Sequence, residues 1–100
     1  MILLYVPCKD ESEARGISKE LIAKKLIACA NIFPIGSLYP WEGRLNDEKE
    51  CVMLAKTTEE KEDKAREGIA KLHSYTIPAI LSFPVRSNRE YEDWLKEELG

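Results

Sequence analysis

The sequence predicts an α+β fold: four strands and two main helices in the order β-α-β-β-α-β, followed by a third helix at the C-terminus. Three observations carry this. The N-terminal run "ILLYVPC" is apolar at both parities, as in a strand covered on both faces. Two stretches with apolar residues at helical spacing separate the β-rich segments. The two middle β-rich segments are joined only by the polar run "EGRLNDEKE", which reads as a hairpin.

Taken in order, residues 2–8 put Ile2, Leu4, Val6 and Cys8 on one face and Leu3 and Tyr5 on the other, the pattern of a central strand. "KDESEARG" supplies a turn with Asp10 or Ser12 as the cap, and a helix follows to about Ala28. Its stripe is Ala14, Ile17, Leu21 and Ile22, then Leu26 and Ala28. Gly16 within it is a mild cost that allows close packing on a sheet. From Cys29 to Trp41 the β-branched and aromatic content rises, but Pro34, Gly36 and Pro40 interrupt it, so this strand is expected at an edge or bent. "CVMLAKT", residues 51–57, is the third strand. A helix from Thr58 to His73 carries Ala65, Ile69 and Leu72 as its stripe. "IPAILSFPV" is a strand with Ile77, Ala79, Leu81, Phe83 and Val85 on one face, and a last helix from Asn88 to Leu99 carries Tyr91, Trp94 and Leu95.

This order is that of the split βαβ, or ferredoxin-like, sandwich, with two helices on one face of a four-stranded antiparallel sheet. The 100 residues are read as one domain. The sheet face away from the helices is open, and Leu3, Tyr5 and Ile80 are expected on it with part of the Cys29–Trp41 strand. Only the last helix or another subunit is available to cover it. Trp41, in the turn sequence "YPWEGRL", raises the same demand, because so large an apolar side chain at a turn calls for cover.

Charge is high but balanced, with 18 acidic and 15 basic residues and a formal net charge of -3, which argues against a nucleic-acid partner. The apolar run at the N-terminus is too short for a signal-peptide core or a membrane span, so no membrane partner and a cytoplasmic location are expected. Three cysteines, Cys8, Cys29 and Cys51, lack CxxC spacing and form neither a disulfide framework nor a zinc ribbon.

There is no Walker A pattern, GxGxxG, HExxH or GxSxG, and no nucleophile with an activating partner, so the chain is read as no enzyme. An acylphosphatase-type phosphate cradle is set aside, because "CKDESEARG" holds acids and no glycine before Gly16. Lys56 shares a strand face with Val52 and Leu54; it either snorkels to water or meets an anion in a cleft. His73 and Tyr75 lie at a helix-to-strand joint, where His73 either interacts with the last helical carbonyls or acts as a titrating or metal-binding group. Cys29 is either a small buried hydrophobe or a soft-metal ligand, with Asn31 two residues on along the same strand face. Glu42, beside Trp41, is a solvated turn charge unless the turn is covered.

Five segments in order, "CAN", "YPWEGRL", "LAKT", "HSYTIPAI" and "YEDWL", resemble the CutA family of divalent-cation tolerance proteins from about Leu3 to Leu99. The resemblance implies a ferredoxin-like homotrimer, in which long second and third strands pair with neighbouring subunits and Tyr39, Trp41 and Trp94 serve assembly. It further implies a non-enzymatic response to metal ions, with copper or another divalent cation as ligand, Cys29 as the first candidate and His73 as the second. The alternative it leaves open is a sensor whose inter-subunit clefts hold an anionic small molecule through Lys56, with Asn31, Glu42, Tyr75 and His73 as further candidates, and which signals to a protein partner. Gly43, Thr57, Pro78 and Tyr91 also match the family pattern. This sequence departs from the pattern at Arg44, where Lys is common, and at Ser74, where Pro is frequent. Thr76 and Ala79 stand where carboxylates are common, which weakens any hard-cation site at this joint and leaves a thiol-based site at Cys29 untouched.

Overall fold

The computed structural model describes residues 1–100 as a four-stranded antiparallel sheet with three helices. The elements are β1 (Ile2–Cys8), α1 (Glu11–Ala23), β2 (Cys29–Trp41), β3 (Arg44–Thr57), α2 (Glu62–Leu72), β4 (Leu81–Pro84) and α3 (Arg89–Leu99). Strand order is β2-β3-β1-β4, so β1 is central and β2 is an edge, as the sequence predicts. Pro34 and Pro40 have the same parity along β2. Both missing N–H groups therefore face the same side of the strand, an arrangement that only an edge strand tolerates without losing ladder bonds.

Ile2, Leu4, Val6 and Cys8 of β1 are buried beneath α1 and α2, together with Cys51, Met53 and Ala55 of β3. Ala14, Ile17 and Leu21 of α1 and Ala65 and Ile69 of α2 complete this helix-side core. Ser18 is buried among them, and its hydroxyl donates to the Ala14 carbonyl at 2.7 Å, so the polar group costs little.

Five expectations need correction. First, α1 stops at Ala23 rather than Ala28. Lys25 takes a left-handed φ of 57°, its N–H donates to Ile22 O, and the Leu26 N–H donates to Leu21 O. This is a Schellman stop, and the apolar residues after it serve the core from a loop, with Ile27 buried. Glycine takes this conformation without the Cβ clash, so Lys25→Gly is expected to raise stability by about 0.5–1 kcal/mol in urea unfolding.

Second, the polar run before Cys51 is strand, not loop. β3 starts at Arg44, and the turn is only Glu42–Gly43, with φ of 52° and 76°, as a two-residue hairpin turn requires. The β2–β3 ribbon thus continues past the end of β1, whose last ladder pair is Cys8 with Cys51.

Third, β4 covers only Leu81–Pro84, and residues 77–79 run outside the ladder. Fourth, Ile80 packs against the helix-side core, while Leu81 and Phe83, opposite Tyr5 and Leu3, occupy the open face. The second helix is also shorter than the Thr58–His73 span.

The last helix covers one end of the open face. Lys56 Nζ stands 5.2 Å from the centre of the Tyr91 ring, and Leu95 and Leu99 are buried although they lie outside the helix-side core. Phe33, Leu81 and Phe83 remain exposed on that face, and Trp94 is 41% exposed.

Candidate functional site

The end of β1, the start of α1 and the end of α2 converge, and three side chains meet there. Cys8 Sγ, a carboxylate oxygen of Glu13 and a ring nitrogen of His73 all lie within 4.8 Å of one another. Strand parity sends Cys8 to the helix side with Leu4 and Val6. Glu13 is fixed by the start of α1: its N–H donates to Asp10 Oδ1 at 2.8 Å, and its Oε1 accepts the Lys9 N–H at 3.0 Å, a variant of the capping box. Its other oxygen accepts the Ser74 N–H at 2.9 Å.

His73 caps the end of α2 and is buried. Nδ1 accepts the Tyr75 N–H at 3.1 Å, and Nε2 lies 2.8 Å from Pro7 O. A backbone N–H can only donate and a carbonyl can only accept, so the ring is neutral with its proton on Nε2. Burial, and then the charge of Glu13, push the Cys8 thiol up to about 12, so it is protonated. Burial opposes the Glu13 carboxylate, yet the hydrogen bonds from Ser74 and Lys9 hold it below the ordinary range.

Residues 74–79 leave this cluster and run beside the projecting ribbon, enclosing a groove of about 620 Å³. Tyr39, Trp41 and Glu50 line the ribbon side, and Tyr75 and Ile77 line the other. The Tyr75 hydroxyl donates to Glu50 Oε2 at 2.5 Å. Burial, and then this bond and the Glu50 charge, raise the Tyr75 pKa above the ordinary phenol value, so the hydroxyl stays a donor. Tyr39 lies in the same wall and donates to Glu48 at 3.1 Å.

The other candidates stand elsewhere. Cys29 pairs with Lys56, which pairs with Leu3, whereas His73 bonds to Pro7 at the far end of β1. Four strand residues separate those levels, or about 13 Å, so one ion in one chain cannot touch both Cys29 and His73. Lys56 and Tyr75 are likewise apart: Lys56 lies by Tyr91, and Tyr75 by Glu50. Asn31 is on the exposed β2 edge near Cys29, and Glu42 is exposed in the hairpin turn. Trp41, 48% exposed, is in the groove wall, and Trp94 is on α3.

The family model described as CutA1 divalent ion tolerance protein matches residues 2–98. The chain belongs to the CutA1 family. The divalent-cation tolerance protein CutA of Thermus thermophilus is 41% identical, covering 100% of this chain and 97% of that protein. The structure of the periplasmic divalent cation tolerance protein CutA of Archaeoglobus fulgidus superposes with a TM-score of 0.95 at 39% identity, over all of both chains. CutA1 of Pyrococcus horikoshii gives a TM-score of 0.95 at 36% identity, covering 98% of this chain and 97% of that one.

Within this CutA1 chain, sequence reasoning missed Cys8, Glu13 and Glu50 as site residues. Glu13 carried a local signal, since an acid three residues after a capping Asp belongs at a helix start. Cys8 read as one more apolar strand residue, and Glu50 was hidden in a polar run that looked like loop.

Proposed function

We propose that the protein is a non-enzymatic homotrimer that binds a borderline-soft divalent cation, copper or zinc, at Cys8, Glu13 and His73 as part of divalent-cation tolerance. The observation that carries the reading is the convergence of three unlike donors within 4.8 Å. A thiolate, an imidazole and a carboxylate form a donor set for zinc or copper, not for magnesium or calcium, which prefer oxygen ligands. The residues fit such an ion on two conditions. The ion must displace the thiol proton, as coordinated thiols allow. It must also take the place of the N–H partners now held by Glu13 and His73. Ligation through Nδ1 would keep the Nε2–H bond to Pro7 O as outer support for the ring.

Reduced protein titrated with Co(II), read by thiolate-to-cobalt absorption, and with Zn(II), read by calorimetry, tests this. One ion per chain is expected, with affinity lost at least ~10-fold in both Cys8→Ala and His73→Gln. Cys29→Ser should bind unchanged. Loss in Cys29→Ser with retention in Cys8→Ala would move the site to the other end of the sheet.

Support for assembly comes from the free edge of β2 along 13 residues and from the exposed Phe33, Leu81 and Phe83 on the open face. Native mass spectrometry should give three times the 11.4 kDa chain mass. A monomer at micromolar concentration would refute the trimer.

A further inference from the structure

We propose that Cys8 and Cys51 form a reversible disulfide when the chain meets a peroxide, and that the bridge withdraws Cys8 from the cation cluster. The bridge itself rests on strand register, and its effect on cation binding rests on the reading given above. The two residues face each other as the last pair of the β1–β3 ladder. Both are free cysteines in the helix-side core, on the opposite face of the sheet from the exposed Phe33, Leu81 and Phe83.

Register also sets the separation. The Val85 N–H donates to Met1 O, so odd-numbered residues of β1 turn their backbone polar groups to β4 and even-numbered ones to β3. Cys8 and Cys51 are therefore a hydrogen-bonded pair with Cα atoms about 5.5 Å apart, inside the ~4.4–6.8 Å that a disulfide spans. Side chains in such a pair start roughly 1 Å wider than an unstrained bridge prefers, so the bridge is easily reduced again. Cys29 has no such partner. It pairs with Lys56 and sits level with Leu3, about 17 Å along β1 from Cys8.

The place of the pair at the end of the ladder gives access. β1 stops at Cys8, and the exposed Lys9 and Asp10 follow, so this rung opens more easily than those beneath it. Cys51 is 5% exposed and Cys8 not at all, which makes Cys51 the thiol that a small oxidant reaches first. Burial, with Glu13 acting on Cys8 and Glu11 on Cys51, keeps both thiols protonated, so oxidation is slow at neutral pH and quickens as pH rises.

The step balances with peroxide as the oxidant. The Cys51 sulfur attacks one peroxide oxygen, the O–O bond breaks, and the departing hydroxide takes up the thiol proton as water. The Cys8 sulfur then attacks the resulting sulfenic acid. The S–S bond forms as the S–O bond breaks, and the Cys8 proton leaves with that oxygen as a second water. Two thiols are oxidised and one peroxide is reduced. A sulfur held in the bridge offers no thiolate, so an ion at Glu13 and His73 loses its third donor.

Hydrogen peroxide added to the reduced, metal-free protein, followed by alkylation and peptide mass mapping, reads the bridge. The Cys8 and Cys51 peptides should be joined with the loss of two hydrogens, Cys29 should stay outside the bridge, and dithiothreitol should reverse it. The oxidised chain should bind Co(II) at least ~10-fold more weakly, and prior loading with Zn(II) should slow the bridge at least ~10-fold. Cys51→Ala should keep its Co(II) binding through the same treatment. Sulfinic acid at Cys51 with no joined peptide, a bridge that involves Cys29, or a bridge that leaves Co(II) binding intact overturns the proposal. A reduced chain that forms the bridge but never binds Co(II) upholds the disulfide and refutes the cation reading instead.

Discussion

Truncation of Leu4 to alanine is expected to cost about 4 kcal/mol of stability, toward the upper part of the range for a fully buried leucine. The reason is local. Leu4 has no exposed surface, and its ladder neighbours on the two flanking strands are Ala55 and Ser82. Both are small, so neither can swing in to fill the space beneath α1 and α2, and the cavity persists. Against a typical stability of about 5–15 kcal/mol, the loss takes a large share. Urea unfolding at fixed protein concentration measures it, with Leu4→Met as a volume-conserving control expected to lose less than about 1.5 kcal/mol. A loss below about 1 kcal/mol in the alanine variant would mean that the core collapses into the gap.

Glu13→Ala is expected to cost about 2 kcal/mol and to flatten the acid limb of the stability curve. One carboxylate holds two backbone N–H groups, one at Lys9 before α1 and one at Ser74 after α2, so it ties the two helical connections together. Its pKa in the folded chain lies below the ordinary glutamate value. The stabilisation is therefore full above the unfolded-state pKa and is lost as pH falls through the lower folded-state value. Wild-type stability should decline across that interval more steeply than that of Glu13→Ala. Parallel pH profiles for the two proteins would overturn the assignment. Glu13→Gln keeps acceptor oxygen but no charge, and should fall between them near neutral pH.

Element order was legible in the sequence wherever one face had to be buried. β1 shows its central position through apolar residues at both parities, and Pro34 with Pro40 marks β2 as the edge. The first half of β3 was not legible, because "RLNDEKE" pairs only with β2 beyond the sandwich and no buried face leaves its period in the residues. The end of α1 was hidden for the opposite reason: Leu26 and Ile27 continue the apolar spacing although the helix has stopped at a lysine in the left-handed region.

At the site, His73 and Tyr75 were visible as a charged and aromatic joint, and their partners were not. Pro7 and His73 are 66 positions apart, and only the return of α2 to the end of β1 brings Cys8 and Glu13 to the ring. Cys29 attracted attention by its place at a strand start, but strand register sets it beside Lys56 rather than His73.

The two-residue link between β2 and β3 also bears on the order in which the chain can assemble as it is made. The ribbon is local, so it can close within microseconds once Thr57 has emerged. β1 is synthesised first, yet it belongs at the centre of the sheet. Its partner on one side is complete only at Thr57, and on the other only at Pro84. Until Thr57 is available both edges of β1 are bare, and between Thr57 and Pro84 one still is, so the most apolar strand stays open to aggregation until β4 has been made.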